Sequence, residues 1–132
     1  MEDPARPAVP RILSVGQCSV DHMSIAEFFA DLFKARVDRA HDSVDARAAL
    51  GSNRYSLVLV NRVLDRDGSS GLDLIRTLKN DPDAGVVPVM LVSDHAEAQQ
   101  AARALGAAPG FGKRTLYSRE TVERIKRALE ES

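Results

Sequence analysis

Few side chains in this chain have the type and spacing that metal, redox or nucleophilic chemistry requires. The three histidines, His22, His41 and His95, are far apart in the sequence and do not have metal-ligand spacing. Cys18 is the single cysteine, so an internal disulfide is excluded. The sequence places no cation near this thiol to lower its pKa. We therefore predict no metal site and expect Cys18 to be a small, partly buried residue.

The loop at residues 65–71 combines aspartate, glycine and serine, a composition that can serve binding or simply form a turn. A phosphate-binding loop would need a Lys-Ser/Thr pair after its glycines, but Leu72 and Asp73 follow Gly71. The composition is typical of a solvated turn.

Composition excludes several classes of function. The chain has 132 residues, 44% of them hydrophobic, and a formal net charge of -1, which fits one domain without a strong basic field for nucleic acid. Basic residues near the end alternate with glutamates, which favours a solvated mixed face. No apolar run approaches the roughly 18 residues of a membrane span. Residues 1–10 form a Pro-rich tail without the apolar stretch of a secretion signal, so we expect a cytoplasmic protein.

Five short apolar runs alternate with stretches of helical spacing along residues 11–131. The runs are those at residues 11–15, 36–41, 56–60, 86–92 and 108–112. The third and fourth runs are rich in Val and Leu with little alternation, which is typical of strands covered on both faces. The pattern predicts an α/β domain with a doubly wound parallel sheet and helices on both faces.

The intervening stretches predict five helices. The first has an apolar stripe formed by Ile25, Phe28, Phe29, Leu32 and Phe33. Ser24 and Glu27 predict a capping box at its start, although the helix could begin a turn earlier. The later helices are marked by Val44 and Leu50, by Leu72, Ile75 and Leu78 before Asp81-Pro82, by the Ala-rich stretch 96–105 before Gly106, and by Val122, Ile125 and Leu129 after a Ser118 cap.

Ligands of such sheets bind at the carboxyl ends of the strands, so the residues that follow each strand matter most. Four stretches of the chain resemble the receiver domain of bacterial two-component response regulators: RILSVGQCS, RAHDSVDARAAL, YSLVLVNRVLDRDGSSGLDLIRTLK and VPVMLVSDHAEAQQAARALGAAPGFGK. Their order and separation over nearly all of residues 11–131 make the match specific. The resemblance implies a flavodoxin-like (βα)5 fold with strand order 2-1-3-4-5.

The resemblance also implies positions for a phosphorylation site. In that family an Asp after the third strand accepts a phosphoryl group, and two acids after the first strand hold Mg2+. A Ser/Thr and a Lys contact the phosphoryl oxygens, and an aromatic residue on the fifth strand changes rotamer on activation. Ser93 and Lys113 retain the hydroxyl and the lysine. The other positions are substituted: the phosphoacceptor by Asn61, the acidic pair by Gly16 and Gln17, and the switch aromatic by Gly110.

These substitutions remove the chemistry of phosphorylation. The Asn61 carboxamide is neutral and a very poor nucleophile. Mg2+ prefers carboxylate ligands, whereas Gly16 has no side chain and Gln17 has only a neutral carbonyl. Asp94 adds a carboxylate that would repel a phosphoryl group. We therefore expect neither Mg2+ binding nor phosphorylation, no other cofactor, and no enzymatic activity.

The retained residues each have a structural and a functional interpretation. Lys113 either contacts phosphate or, as we expect, is a structural cation paired with Asp94 or hydrogen-bonded to the Asn61 carbonyl. Ser93 either caps the fourth helix, which we favour, or supplies a functional hydroxyl. Asp21 is expected in the first turn of the first helix, where the helix dipole favours an acid.

The resemblance implies a partner-binding face made by the fourth helix, fifth strand and fifth helix. Its candidate residues are Ala98, Ala101, Ala102, Arg103 and Arg114. Because no output domain follows, we expect a stand-alone pseudo-receiver that binds a histidine kinase or a downstream effector independently of phosphorylation. Two alternatives stay open: an atypical regulator phosphorylated at Asp65 or Asp67, and a flavodoxin-like domain that binds a small ligand.

Overall fold

The computed structural model describes residues 9–131, so almost all of the predicted tail at residues 1–10 lies outside the described part. The strands are β1 (Arg11–Val15), β2 (Arg36–Ala40), β3 (Leu57–Asn61), β4 (Val89–Val92) and β5 (Ala108–Phe111). The helices are α1 (Ser19–Phe33), α2 (Ser43–Ser52), α3 (Gly71–Asn80), α4 (Ala96–Ala104) and α5 (Arg119–Glu131). Short 3-10 turns cover Ala84–Val86 and Lys113–Thr115.

The strands form one parallel sheet in the order β2-β1-β3-β4-β5. Asn61 at the end of β3 lies opposite Val92 at the end of β4, and Val92 lies opposite Phe111 at the end of β5. The carboxyl ends of these strands therefore share one edge of the sheet. The predicted (βα)5 fold and strand order are confirmed.

The central strand β3 is buried on both faces, as its near-continuous apolar run predicted. Val58 and Val60 join the core beneath α2, α3 and α4. Leu57 and Leu59 join the core beneath α1 and α5. Each such side chain contributes about 1.5–3 kcal/mol of burial free energy, which fixes the strand ends that carry the candidate site.

The first helix begins earlier than the predicted capping box. It starts at Ser19, and the Ser24 hydroxyl donates a hydrogen bond to the Val20 carbonyl at 3.2 Å inside the helix. The capping-box prediction is therefore wrong. Leu32 is 49% exposed and also lies outside the buried stripe that the spacing predicted.

Two other local predictions are wrong. Val86 is exposed in a 3-10 turn, and β4 begins only at Val89 because the preceding Pro88 has no N–H for the ladder. The second helix exists, but Val44 is exposed and Ala46 is its buried residue.

The helix ends follow the sequence signals more closely. α3 ends at Asn80 before Asp81-Pro82. Gly106 takes a positive φ of 104° after α4. The Ser118 hydroxyl accepts the Thr121 N–H at 3.2 Å and so caps α5 as predicted. Among residues 9–131, no helix combines the length and apolar character needed to cross a bilayer.

Candidate functional site

A cleft of about 480 Å³ opens where β3, β4 and β5 end, and we call it the strand-end cleft. It is lined by Asn61, Arg62, Val63, Val92, Ser93, Asp94, His95, Lys113 and Arg114. The fold therefore brings together Asn61, Ser93 and Lys113, which the sequence singled out. Gly16 and Gln17 follow β1 and do not line this cleft.

The Asn61 side chain acts as a hydrogen-bond donor between two loops. Its Nδ2 donates to the Val63 carbonyl at 2.8 Å and to the Gly16 carbonyl at 3.2 Å. A carboxylate accepts hydrogen bonds but cannot donate them when ionised, so it could not make either contact. The amide therefore has a structural role that the family's aspartate could not take over in this arrangement.

The residues after β1 do not fit a magnesium ion. Gly16 has a positive φ of 78°, and a side chain there would overlap Leu64. Gln17 is fully buried, and neither polar atom of its side chain has a hydrogen-bond partner among the described residues. Across residues 9–131, no group of three or more His, Cys, Asp or Glu side chains could hold a metal ion. Gly16, Gln17 and the neutral Asn61 thus supply none of the carboxylates that Mg2+ prefers.

Lys113 pairs with a residue other than the two that the sequence suggested. Its Nζ lies 2.7 Å from Oδ2 of Asp21, in the first turn of α1, so the predicted pairing with Asp94 or Asn61 is wrong. The hydrogen bond from Lys113 lowers the pKa of the Asp21 carboxyl, although partial burial acts in the opposite direction. The ammonium group is thus neutralised locally and drawn towards α1.

Ser93 precedes α4 without capping it. α4 begins at Ala96 with His95 at its N-cap position, and no side-chain hydrogen bond caps it. Ser93 Oγ instead accepts the His95 N–H at 3.1 Å, one step before the helix. The prediction that Ser93 caps α4 is therefore wrong.

Asp65 and Asp67 both lie outside the strand-end cleft. Asp65 Oδ2 contacts His41 Nδ1 at 3.0 Å and Arg39 at 3.5 Å on the β2 side of the sheet. Asp67 folds back on its own turn, where it accepts the Ser69 hydroxyl at 2.6 Å and the Ser69 N–H at 3.0 Å. The turn interpretation accounts for Asp67, and an ion-pair network accounts for Asp65.

Gly110 is buried on β5 and leaves no room for a side chain. A Cβ atom there would overlap the Leu91 carbonyl and the Gln99 side chain. Gln99 Nε2 donates to the Leu91 carbonyl at 2.9 Å and to the Ser93 carbonyl at 3.0 Å. Gln99, which the sequence did not single out, therefore occupies the space beside Gly110 and ties α4 to β4.

The predicted partner face is only partly accessible. Ala102 is fully buried in the core beneath α4, so it cannot contact a partner. Ala98 and Ala101 are half-buried, whereas Arg103 and Arg114 are exposed. The small residues of α4 thus pack on the sheet as well as facing outwards.

Two further residues near the strand ends differ from expectation. Cys18 is exposed at the N-cap position of α1, so the prediction of a partly buried thiol is wrong. Arg62 lines the strand-end cleft, but the sequence analysis did not single it out. Its position directly after β3 was the available signal.

Comparison with models of known protein families finds no match, and comparison with curated proteins finds no relative. Solved structures do match. A putative response regulator from Chloroflexus aurantiacus superposes with a TM-score of 0.80 at 18% identity, covering 92% of this chain and 98% of its own. A CheY-like receiver domain protein from Methanospirillum hungatei gives a TM-score of 0.76 at 19% identity, covering 94% and 96%.

The receiver domain of NtrX from Brucella abortus gives a TM-score of 0.75 at 22% identity, covering 92% of this chain and 99% of its own. Its near-complete coverage matches that of the other two structures. At such low identity the likeness establishes the fold alone. The chain therefore has the fold of response regulator receiver domains.

Proposed function

We propose that this chain is a receiver-like interaction module of two-component signalling that acts without being phosphorylated. The observation that carries the proposal is the Asn61 amide, which donates hydrogen bonds to two carbonyls from the position where the family has its attacking carboxylate. A neutral amide that is held as a donor offers no anionic oxygen for attack on phosphorus.

The surroundings of Asn61 support the same function. The Gly16 position admits no side chain, and Lys113 is already paired with Asp21. Phosphoryl transfer depends on charge neutralisation, which a bound metal ion supplies in large part. With Asp94 as its one carboxylate among the described lining residues, the site has too few anionic ligands to seat Mg2+, so we propose a protein that needs no cofactor and is not an enzyme.

The proposed partners are other signalling proteins, either a histidine kinase or a downstream effector. The face made by α4, β5 and α5 would bind them, through Ala101 and Arg103 on α4 and Arg114 after β5. The hydrogen bonds of Gln99 and of Arg124, which donates to the Gly110 carbonyl at 2.8 Å, support a face with one fixed shape. Such a face would present the same surface at all times.

Intact-mass measurement after incubation with acetyl phosphate and Mg2+ tests this function. We expect no gain of about 80 Da, the mass of one phosphoryl group. A receiver domain that acetyl phosphate does label serves as the positive control in the same buffer. A gain that disappears in Asp65→Asn or Asp67→Asn would establish the alternative of an atypical phosphorylated regulator, and a gain that persists in both would still overturn the proposal.

A further inference from the structure

The strand-end cleft contains two guanidinium groups without partners. Arg62 follows β3 and Arg114 follows β5, and both line the cleft. Within residues 9–131, neither side chain has an ion-pair or hydrogen-bond partner. A guanidinium group stays charged at all relevant pH values and presents five N–H donors in a planar fork. The positive charges and N–H donors of both arginines are therefore available to a ligand.

Six other arginines of residues 9–131 have carboxylate partners, and the remaining ones do not line the cleft. Arg11 and Arg36 contact Asp38, Arg39 contacts Asp65, Arg66 contacts Asp42 and Asp45, Arg76 contacts Asp73, and Arg124 contacts Glu120. Lys113, the third cation of the cleft, is paired with Asp21. The excess positive charge of the cleft therefore comes from Arg62 and Arg114.

Further donors surround these two guanidinium groups. Ser93 Oγ accepts the His95 N–H, which leaves its hydroxyl proton free to donate to a ligand. The nine-residue helix α4 starts beside the cleft with no side-chain acceptor for its first N–H groups. The free N–H groups at a helix N-terminus attract a negative charge. At α4 they would therefore strengthen anion binding by the two guanidinium groups.

Asp94 is the one carboxylate among the described residues that line the cleft, and it limits the affinity for anions. It lies so close to Gly112 that any side chain at position 112 would overlap it. Two unpaired positive charges against one negative charge still leave the cleft favourable to an anion. A doubly charged anion gains more from two guanidinium groups than a carboxylate does, and each guanidinium can bind phosphate oxygens in bidentate fashion.

We propose that the strand-end cleft is a metal-independent binding site for a phosphate dianion, with Arg62 and Arg114 as its main ligands. Binding is non-covalent, and no phosphoryl group is transferred. The inference deepens the proposed function, and it rests on the conclusion that this cleft performs no phosphorylation. The ligand is either free phosphate or a phosphate group carried by another molecule.

Titration of 15N-labelled protein with inorganic phosphate tests the site, with EDTA present and ionic strength held constant. We expect saturable shifts in the amide signals of residues 61–63, 93–96 and 113–114. Arg62→Gln and Arg114→Gln should each raise the Kd about tenfold through loss of a charge-assisted hydrogen bond. Asp94→Asn should lower it about fivefold by removing a repulsive charge.

Arg47→Gln is the matched control, since Arg47 is an exposed arginine on α2 that does not line the cleft. The Kd of this variant for phosphate should equal that of the parent protein. Phenyl phosphate and acetate are titrated in the same way, as a phosphate monoester and as a singly charged anion. Phenyl phosphate binding as tightly as phosphate would indicate a group carried by another molecule, whereas selective binding of inorganic phosphate would indicate the free ion. Acetate should bind much more weakly than either.

Absence of saturable shifts with both phosphates would overturn the proposal, and so would equal Kd values for the parent, Arg62→Gln and Arg114→Gln proteins. Far-ultraviolet circular dichroism of each variant shows that the fold is retained. Failure of this inference is distinguishable from failure of the proposed function. The mass of the protein reports covalent phosphorylation, whereas the titration reports reversible binding.

Discussion

An amide and a carboxylate differ in the hydrogen bonds that they can make at the end of β3. At Asn61 the nitrogen donates to the carbonyls of Val63 and Gly16. With an aspartate at this position, an ionised oxygen would face two carbonyl oxygens without a cation between them. The amide thus stabilises the loop arrangement that the carboxylate would destabilise.

The Asn61→Asp variant tests this role. We expect its free energy of unfolding at pH 7 without divalent ions to fall by about 1–3 kcal/mol, because two hydrogen bonds are lost and a charge faces acceptors. The repulsion raises the folded-state pKa of the new carboxyl above its unfolded value, so protonation favours the folded state and the loss should shrink as pH falls towards 4. Urea denaturation at pH 7 and at pH 4 measures the free energy of unfolding of both proteins.

Asn61→Ala is the control for this experiment, since it removes the donors without introducing a charge. At pH 7, Asn61→Ala should lower the free energy of unfolding by less than Asn61→Asp does. This loss should not depend on pH between 4 and 7. An Asn61→Asp protein as stable as the parent at pH 7 would contradict the structural role of the amide.

At the scale of elements, the loop between β3 and α3 is tied to the loop after β2. Arg39 and His41 hold Asp65, and Arg66 contacts Asp42 at 3.3 Å. Arg39 also donates to the Gln17 carbonyl at 3.1 Å, which extends the network to the loop after β1. The network holds the start of the loop against the neighbouring strand ends.

We predict that Asp65→Asn loosens this loop, because the amide lacks the charge that pairs with Arg39. Amide hydrogen exchange of residues 62–69 should accelerate, while the global free energy of unfolding falls by about 1 kcal/mol or less, as for partly exposed ion pairs. Asp67→Asn is the matched control, since Asp67 contacts only its own turn and should leave residues 62–65 unchanged. Equal exchange in both variants would show that the network does not hold the loop.

The elements were more predictable from the sequence than the contacts among their ends. The Val- and Leu-rich runs predicted β3 and β4 because burial on both faces leaves a direct compositional signal. The pairing of Lys113 with Asp21 leaves no such signal, since it joins the end of β5 to the start of α1. The role of Gln99 also leaves no signal in the sequence. Its partners are the backbone carbonyls of Leu91 and Ser93, which every residue type has.

At the scale of the whole molecule, α4, β5 and α5 are held together by side-chain to backbone hydrogen bonds. Gln99 joins α4 to the end of β4, and Arg124 joins α5 to Gly110 on β5. Gly110 is required beneath these contacts because a side chain would meet both the Leu91 carbonyl and Gln99. The proposed partner face therefore depends on this glycine.

Gly110→Ala should destabilise the whole fold by about 1–3 kcal/mol through overpacking against backbone. It should also displace Gln99, which would appear as amide shift changes along α4. Gly51→Ala is the control, because a Cβ there meets no atom within 4 Å. A fully stable Gly110→Ala protein with unchanged α4 signals would show that the face tolerates a side chain at this position.

The left-handed turn at Gly16 limits how this region could be redesigned. Any acid introduced at this position would meet Leu64 and take an unfavourable backbone conformation. An aspartate introduced at position 61 alone would have no carboxylate from Gly16 or Gln17 with which to share a metal ion. Conversion of this region into a magnesium site would therefore require changes at Leu64 and in the backbone of the turn as well as new carboxylates, so no single substitution could achieve it.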